Sequence, residues 1–361
     1  MKTILFLFGG CSTEYEVSLQ SAHAVLQALD RSRYTPLAVG ITRDGRWLRY
    51  GGPLFHLETG DWEAQPDCVP CALSLDRGDL RLLWLDGSGR SEPFDAAFPV
   101  LHGKNGEDGT IQGLLELAGL PYVGCGVLGS AVCMDKAVAN ALMDAAGVPH
   151  CKWVAASRAD LELNGPVVLD GIEAKLGYPI FVKPANAGSS VGISKAADRA
   201  ALEKGVEIAL REDDKVVFEE FVDAQEVECA AIGNPDDPAT VSTTRPGEIL
   251  AGAEFYTYDD KYKNGVSQTV IPAHLPEAKL DEVKTYAAMA YTALNCEGLA
   301  RCDFFVEKGT GRVLINEINT FPGFTSISMY PKLMEHEGLP VPQLIDRLIA
   351  LALERKEKQH G

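Results

Sequence analysis

The chain has 361 residues, and its 33 basic and 51 acidic residues give it a formal net charge of -18. A surface with this charge repels nucleic acids and anionic membranes, so neither is expected as a partner, although a few lysines can still form a pocket for a small anion. The hydrophobic fraction of 46% is that of a globular protein, and the length predicts two or three domains.

The chain opens with a predicted βαβ unit. Thr3 to Phe8 is a short apolar strand, Ser18 to Leu29 has helical spacing, and Thr35 to Thr42 has the composition of a second strand. This order is typical of an α/β fold in which an open parallel sheet carries helices on its faces. The turn at Gly9-Gly10 is a common place for an anion, but the G-x-G-x-x-G pattern of dinucleotide-binding proteins is absent.

His102 begins a polar, glycine-rich loop. The loop from His102 to Gly109 follows the predicted buried strand Phe94 to Leu101, and ligands commonly bind where a parallel strand ends. The alternative for His102 is a loop histidine whose hydrogen bonds are satisfied within the protein. Residues 51–93, which precede this strand, contain short strands and turns and carry no functional signal.

The nine cysteines are scattered, mostly inside apolar runs, which predicts free thiols in a reducing cytoplasm. Cys68 and Cys71 form a C-x-x-C pair, but no second pair lies at the spacing of a zinc site. No apolar run is long enough to span a bilayer. We therefore expect a cytoplasmic protein without structural zinc.

Two lysines are candidates for holding a polyphosphate. Lys136 lies at the start of a predicted helix that runs to Ala146, and Lys183 ends the β-rich run that begins at Tyr178. The small residues from Ala187 to Gly192 follow, and such a loop can point backbone N–H groups at a phosphate. The P-loop pattern is absent, and an ordinary hairpin loop is the alternative interpretation of this stretch.

The segment from Phe255 to Gly265 is aromatic and charged and has no regular period. Loops of this kind between strands often close over a bound ligand. The alternative is that its tyrosines pack as a small satellite cluster.

The segment from Arg301 to Pro331 carries the candidate metal site. Two apolar runs flank Lys308 to Gly311, which predicts an antiparallel hairpin. If the turn centres near Thr310, Asp303 lies opposite Glu317 and Arg301 opposite Asn319, all on one face of the sheet. Two carboxylates and an amide oxygen suit Mg²⁺ shared with substrate phosphates. The alternative is a surface ladder of mixed charges.

Six segments, in this order, resemble the D-alanine–D-alanine ligases of the ATP-grasp superfamily, and together they extend over nearly the whole chain. They are G-G-C-S-T-E-Y-E-V-S-L from Gly9, H-G-K-N-G-E-D-G from His102, M-D-K from Met134, F-V-K-P-A-N-A-G-S-S-V-G from Phe181, Y-D-D-K-Y from Tyr258 and N-E-I-N-T-F-P-G-F-T-S-I-S-M-Y-P from Asn316. The resemblance implies a three-domain ATP-grasp architecture of the α/β class, α+β in part, with ATP held between the last two domains. The expected domains are an N-terminal open parallel sheet at 1–124, a central domain at 125–219, and a C-terminal domain at 220–361 that carries the lid loop and the magnesium site.

The resemblance also implies the reaction. ATP phosphorylates the carboxylate of a first D-alanine, and the amine of a second D-alanine attacks the resulting D-alanyl phosphate, which yields D-alanyl-D-alanine for peptidoglycan synthesis. The expected cofactors are ATP and Mg²⁺, with two ions expected and Mn²⁺ as a possible substitute. A homodimer is expected on the same ground.

Individual site residues are implied by the same resemblance. For the amino-acid substrates they are Glu14, Ser189 and Tyr262 at the first ammonium, His102 near the first carboxylate, Arg301 and the Gly323 N–H at the tetrahedral oxyanion, and Ser328 with the neighbouring Met329 at the second substrate. For the nucleotide they are Lys136, Lys183 and Lys261 at the phosphates, Glu219 and Val222 at the adenine, and Glu226 at the ribose. The implied metal ligands are Asp303, Glu317 and Asn319.

Met329 bears on the second substrate. Resistance-type relatives, which make D-alanyl-D-lactate or D-alanyl-D-serine, typically carry Arg at this place. Met329 here, and Lys261-Tyr262 in the lid loop, both point to D-alanine. Two other hypotheses remain: an ATP-grasp ligase for a different amino acid, and a nucleotide-binding regulatory module without turnover. The complete set of Arg301 and the metal ligands argues against the second.

Overall fold

A computed structural model describes residues 1–188, 191–234, 237–250 and 268–360. Its mixed α/β architecture confirms the predicted fold class, and three β-sheets follow one another along the chain. The helices of the described residues are Tyr15–Ala28 (α1), Phe55–Thr59 (α2), Thr110–Leu117 (α3), Val127–Met134 (α4), Lys136–Ala146 (α5), Arg158–Leu176 (α6), Arg199–Ala209 (α7), Glu277–Ala293 (α8), Met329–His336 (α9) and Val341–His360 (α10). The domain boundaries at 1–124, 125–219 and 220–361 remain predictions.

The first sheet combines parallel and antiparallel pairing. Its strands are Lys2–Gly9 (β1), Tyr34–Ile41 (β2), Trp47–Tyr50 (β3), Cys68–Leu73 (β4), Arg81–Trp84 (β5), Ser91–Pro93 (β6) and Ala96–Val100 (β7), in the order β6-β5-β4-β3-β2-β1-β7. Strand β1 pairs in parallel with β2 and β7, as predicted, whereas β3 to β6 extend the sheet in antiparallel fashion. The connections explain the difference, because helix α1 joins β1 to β2, whereas the turn at 42–46 is too short for a crossover.

The last helix packs against this first sheet. Helix α10 has apolar residues at helical spacing, and Leu344, Ile345 and Leu348 are buried in one cluster with Phe6 and Phe8 of β1. Burial of such side chains stabilises the fold by roughly 2 kcal/mol each. The end of the chain is thus fixed to the sheet with which it starts.

The second sheet is antiparallel and carries Lys183. Its strands are Trp153–Ser157 (β8), Ile180–Pro184 (β9), Ser194–Ala196 (β10) and Lys215–Glu220 (β11), in the order β10-β9-β11-β8. Helices α6 and α7 bury Leu169, Ile172 and Leu202 against one face. Lys183, the one polar residue of β9, extends toward the third sheet.

The third sheet carries the predicted hairpin. Its strands are Ala224–Asn234 (β12), Asp237–Thr243 (β13), Gly247–Leu250 (β14), Gln268–Val270 (β15), Gly298–Glu307 (β16) and Val313–Asn319 (β17). The order is β15-β14-β12-β16-β17, and β13 pairs with β12. Helix α8 covers one face, where Tyr291 packs in a cluster with Cys302 and Phe304. The charged residues of β16 and β17 therefore belong to the opposite face.

All nine cysteines are free, as predicted. Among the helices of residues 1–188, 191–234, 237–250 and 268–360, none has the length and apolar composition that crossing a bilayer requires.

Candidate active site

The predicted register of the hairpin is confirmed. Arg301 of β16 lies opposite Asn319 of β17, and Asp303 lies opposite Glu317. Directly opposed residues of an antiparallel pair project from the same face of the sheet. The two carboxylates, the amide and the guanidinium are therefore brought together.

A β-bulge produces this register. Nearer the turn, Phe304 pairs with Ile315, so a regular ladder would place Asp303 opposite Asn316. The register shifts by one residue between Asp303 and Phe304, and Asn316 is the extra residue of β17. The alternation prediction missed this bulge. The segment I-N-E-I shows the signal, because two adjacent polar residues between isoleucines break the period of two.

The bulge also turns two consecutive side chains toward the cleft. Ile315 and Ile318 are both buried in the core under α8, at 1% and 6% exposure. Asn316 and Glu317 between them both reach lysines from other parts of the chain: Lys183 Nζ lies 3.4 Å from Asn316 Oδ1, and Lys136 Nζ lies 3.7 Å from Glu317 Oε2. A regular strand would send one of these two side chains into the core.

Arg301 and Asp303 form the centre of the charged face. The guanidinium donates from Nε to Asp303 Oδ1 at 2.7 Å and from Nη2 to Oδ2 at 2.8 Å, which is a bidentate pair. Asn319 Nδ2 also donates to Asp303 Oδ2 at 3.0 Å. Both members of the pair have only 14% of their side-chain surface exposed. The pair is thus held in a fixed geometry on the wall of the cleft.

Glu228 is a further carboxylate on this face that the sequence prediction missed. It lies opposite Asp303 on the neighbouring strand β12, and its Oε2 is 3.0 Å from Arg301 Nε. It is 6% exposed. The signal is its position two residues after Glu226, which places both on one face of β12.

The donor atoms fit magnesium that is shared with phosphate oxygens. Within the described residues, no group of three His, Cys, Asp or Glu side chains is arranged to hold a metal ion alone. Asp303, Glu317 and Asn319 supply two carboxylates and one amide oxygen, which are hard ligands. Mg²⁺ usually keeps part of its shell for substrate phosphates or water, so a partial protein ligand set suits it.

Lys136 is placed by the cap of its helix. The Asp135 carboxylate accepts hydrogen bonds from the N–H groups of Ala137 and Val138, both at 3.1 Å, and so caps α5. Lys136 N donates to Ala185 O at 3.0 Å, and Lys136 Nζ donates to Ala187 O at 2.9 Å. The ammonium therefore lies beside the small-residue loop that follows β9.

Lys183 forms a buried ion pair with Glu219. Its Nζ lies 2.5 Å from Glu219 Oε2, and the two residues are 8% and 6% exposed. Burial lowers the pKa of the Lys183 ammonium, but Glu219 more than offsets this, and the pKa is raised above its ordinary value. Asn140 Nδ2, at 3.4 Å from Glu219 Oε1, completes the surroundings of the carboxylate. Lys183 is thus a charged group held at the base of the cleft.

The remaining predicted nucleotide residues follow Glu219 along the chain. Val222 is half-buried in the segment between β11 and β12, and Glu226 is an exposed residue of β12. These positions lie where the chain passes from the last strand of the second sheet, β11, to the first strand of the third sheet, β12. Lys261, Ser189 and Tyr262 lie outside the described residues, and their roles remain predictions.

Glu14 lies where three of the motifs meet. A Cβ added to Gly103 would come within 2.5 Å of Glu14 Oε2, and one added to Gly188 within 3.1 Å. Gly103 also has a φ of +68°, which other residues rarely adopt. The first glycine loop, the His102 loop and the small-residue loop after β9 therefore converge around one carboxylate.

His102 is engaged at both ring nitrogens. Nδ1 lies 2.9 Å from the Phe321 carbonyl oxygen, so it carries the proton, and Nε2 lies 3.1 Å from Ser21 Oγ and accepts. The residue is 4% exposed, and burial lowers its pKa although the nearby Glu14 raises it. The structure shows a buried histidine with a hydrogen-bond partner at each ring nitrogen, which was the alternative interpretation. Its approach to a substrate carboxylate remains a prediction.

Glu107, in the same loop, was not among the predicted site residues. Its Oε2 accepts from Gly103 N at 2.6 Å and its Oε1 from Phe321 N at 3.1 Å. Desolvation and the charge of Glu14 raise its pKa to about 8, although both N–H groups and Arg301 act in the opposite direction. Its place in the H-G-K-N-G-E-D-G segment was the available signal.

Gly323, Ser328 and Met329 lie around the start of α9. A Cβ on Gly323 would approach Ser328 Oγ to 2.8 Å, so the two predicted substrate residues are in contact. Ser328 Oγ also accepts from Thr325 N at 3.1 Å. Met329 is 3% exposed, and its Sδ would lie 2.7 Å from a Cβ on Gly247. Gly247 is therefore the residue that leaves room for Met329.

Fold and site together define a class of enzyme. Lysines from α5 and from the second sheet face an acid and an amide on the third sheet, beside an arginine–aspartate pair. This is the arrangement of an ATP-grasp ligase.

The comparison with known families identifies the particular group within this class. The protein-family model described as D-ala D-ala ligase N-terminus matches residues 3–125. The family model described as D-ala D-ala ligase C-terminus matches residues 142–350. The chain belongs to the D-alanine–D-alanine ligase family.

Individual relatives agree with this assignment. A D-alanine–D-alanine ligase of Acetivibrio thermocellus is 47% identical, with 98% of this chain and 96% of the relative covered. A D-alanine–D-alanine ligase of Caldicellulosiruptor bescii is 46% identical, with 99% and 96% covered. The structure of the VanG D-Ala:D-Ser ligase from Enterococcus faecalis superposes with a TM-score of 0.88 at 40% identity, covering 97% of this chain and 99% of that chain. That of the D-alanine–D-alanine ligase from Coxiella burnetii has a TM-score of 0.85 at 34% identity, covering 100% and 97%.

Proposed function

We propose that the protein joins two D-alanines to D-alanyl-D-alanine at the expense of ATP, for peptidoglycan precursor synthesis. Membership of the ligase family supports this activity. The observation that carries it at the level of the site is the approach of Lys136 and Lys183 to two consecutive residues of β17, Glu317 and Asn316. Cations opposite a candidate metal site are what a nucleoside triphosphate requires.

The first step transfers a phosphoryl group. A carboxylate oxygen of the first D-alanine attacks the γ-phosphorus, the bond to the leaving ADP oxygen breaks, and D-alanyl phosphate forms. Lys136 and Lys183 neutralise the phosphates, and Lys261 is proposed to do the same. Asp303, Glu317 and Asn319 hold Mg²⁺, which when bound neutralises charge on the phosphate oxygens. Glu14 holds the ammonium of the first D-alanine beside Gly103 and Gly188, with Ser189 and Tyr262 as further proposed contacts.

The second step forms the peptide bond. The amine of the second D-alanine attacks the acyl carbon, the amine loses a proton, and inorganic phosphate leaves as the C–N bond is completed. Arg301 stabilises the negative oxygen of the tetrahedral intermediate, together with the Gly323 N–H. Ser328, which touches Gly323, takes the carboxylate of the second D-alanine. Glu219, Val222 and Glu226 are proposed to hold the adenosine.

A direct assay tests the proposal. The purified protein is incubated with ATP, Mg²⁺ and a panel of D- and L-amino acids, and ADP, phosphate and dipeptide are quantified. We expect equal amounts of ADP, phosphate and D-alanyl-D-alanine with D-alanine alone. Preference for an L-amino acid, or nucleotide binding without turnover, would contradict the proposal and favour one of the two other hypotheses.

The second substrate is proposed to be D-alanine rather than D-serine. The similarity to a D-Ala:D-Ser ligase makes the distinction necessary. Met329 is buried against Gly247, at the place where resistance-type relatives typically carry Arg. Competition between D-alanine and D-serine in the presence of ATP should yield mainly D-alanyl-D-alanine, and a majority of D-alanyl-D-serine would refute this choice.

Three further predictions accompany the reaction. They are two bound Mg²⁺ ions, with Mn²⁺ as a substitute, a homodimer, and a cytoplasmic location. Titration of activity with each metal and sedimentation of the full-length protein test the first two. The free state of all nine cysteines supports the third.

A further inference from the structure

Both backbone polar groups of Phe321 are bound by the loop that follows β7. Phe321 N donates to Glu107 Oε1 at 3.1 Å, and the Phe321 carbonyl accepts from His102 Nδ1 at 2.9 Å. Phe324 N donates to Ser21 Oγ at 3.1 Å, and Ser21 in turn contacts His102. The segment from Phe321 to Phe324 is thus attached at three backbone atoms to side chains from the first third of the chain.

This segment connects two parts of the reaction site. It follows Asn319, a proposed metal ligand, and it contains Gly323, whose N–H is proposed to bind the oxyanion. Phe321 and Phe324 are 4% and 3% exposed, so their rings fix the segment from the other side. Pro322 has no backbone N–H, so the three backbone contacts fix the direction of a single intervening donor, the Gly323 N–H.

The other carboxyl oxygen of Glu107 reaches the loop beside Glu14, the residue proposed to hold the first ammonium. Its Oε2 accepts from Gly103 N at 2.6 Å, and Gly103 lies against Glu14. One carboxyl group therefore bridges the loop beside the first ammonium site and the segment beside the acyl carbon. The two donors are 218 positions apart in the sequence numbering, as Gly103 and Phe321.

We propose that Glu107 is a positioning residue for peptide bond formation: it fixes the Phe321–Phe324 segment, and with it the oxyanion-binding N–H, relative to the first D-alanine. This rests on the proposed function. Misplacement of a catalytic group by about 1 Å can cost on the order of 100-fold in rate. Glu107 acts through the backbone of Phe321. Its two hydrogen bonds go to Gly103 and Phe321, neither of which is a proposed nucleotide residue.

Glu107→Gln tests the proposal. An amide keeps the size of the side chain, but its NH₂ group cannot accept a hydrogen bond, so one of the two backbone N–H groups loses its partner. Asp108→Asn is the matched control, because Asp108 also accepts from two backbone N–H groups, at 2.8 and 3.0 Å, but both belong to its own loop, at Asn105 and Thr110.

The full-length variants are compared by kcat, by KM for D-alanine, by ADP affinity in calorimetry, and by thermal midpoint. We expect Glu107→Gln to lower kcat by roughly 10- to 100-fold, with ADP affinity unchanged, and Asp108→Asn to keep a wild-type kcat. A wild-type kcat in Glu107→Gln overturns the proposal, and so does an equal loss in Asp108→Asn.

If Glu107→Gln does not fold, Ser21→Ala is the second variant that tests the position of the same segment. It removes the acceptor of Phe324 N and should lower kcat several-fold in the same direction, and an unchanged kcat in that variant overturns the proposal. Wild-type protein that makes no dipeptide counts against the proposed function itself. Active wild-type protein with fully active variants overturns only the role of Glu107.

Discussion

The hairpin of β16 and β17 and the junction around Phe321 build adjacent parts of the site in different ways. In the hairpin, Arg301, Asp303 and Glu317 come together within one supersecondary unit. At the junction, Ser21 and Glu107 meet Phe321 and Phe324 from distant parts of the chain. The first arrangement is a patch of side chains, and the second is a set of side chains that hold backbone groups.

The hairpin supplies side chains that are proposed to take part in the reaction, whereas the junction supplies side chains that position the backbone. Side chains on the charged face of the hairpin can be replaced without loss of the ladder that holds them, because the backbone bonds and the core face remain. A side chain that holds a distant backbone N–H has no such substitute, and its loss leaves a buried donor without a partner. Substitutions in the two regions should therefore give different kinetic and stability profiles.

The largest effect is expected at the hairpin. Glu317→Ala removes a proposed metal ligand and should lower kcat by at least about 1000-fold, since the metal supplies several kcal/mol of transition-state stabilisation. The thermal midpoint should stay close to that of the wild type. Glu307→Ala is the control on the same hairpin, because Glu307 pairs with Arg312 near the turn, away from the cleft. Wild-type rates in Glu317→Ala would refute the metal assignment.

The next effect is expected at the buried ion pair that faces the hairpin. Lys183→Met leaves Glu219 buried without its partner, so we expect a loss of about 3–5 kcal/mol in the free energy of unfolding. The double variant Lys183→Met, Glu219→Gln should regain most of that stability, because the buried charge is gone, and should stay inactive. Denaturant unfolding and the ADP assay measure both quantities. Recovery of activity in the double variant would show that Lys183 does not bind phosphate.

The junction should show a pH dependence that originates at Glu107. The pKa of Glu107 is raised from its ordinary value of 4.5 to about 8 by desolvation and by Glu14, while Arg301 and the N–H groups of Gly103 and Phe321 act in the opposite direction. A raised pKa stabilises the folded protein fully below pH 4.5, and this contribution is lost as the pH rises through about 8.

Glu107→Gln removes this titration. Each pKa unit corresponds to about 1.4 kcal/mol, so the wild type should lose stability relative to the variant between the two pH values. Denaturant unfolding at pH 5 and at pH 8.5, run on both proteins, gives the difference. A constant difference across this range would show that Glu107 has an ordinary pKa.

The smallest effect is expected from deletion of Asn316. Removal of the bulge residue leaves Asp303 opposite Glu317 and Arg301 opposite Asn319 in a regular ladder, but it removes the contact with Lys183. We expect kcat to fall no more than about tenfold, with a higher KM for ATP, since a typical hydrogen bond contributes about 0.5–1.5 kcal/mol and this one, at 3.4 Å, is long. Complete loss of activity would show that the bulge itself, and not the pairing, holds the metal ligands.

Several elements show how far sequence patterns extend. The pairing of Asp303 with Glu317 followed from alternation, yet it is realised through a bulge at Asn316 that the alternation argument did not contain. The parallel core of the first sheet followed from the βαβ order, whereas its antiparallel extension through residues 51–93 gave no clear signal. Glu228 was not predicted as a site residue, because the sequence of its own strand does not show that Arg301 lies beside it.

The amino-acid sequence by itself determined the faces of the hairpin, the apolar surface of the last helix and the series of motifs that marks the family. These features have short periods or fixed spacings, so neighbouring residues are enough to reveal them. Only the tertiary structure decided that Glu107, His102 and Ser21 hold the backbone after Asn319, and that Lys183 meets Glu219 and Asn316. The physical reason is that a hydrogen bond or ion pair depends on the approach of two groups in space, and no local pattern records which distant partner a buried carboxylate or amide will meet.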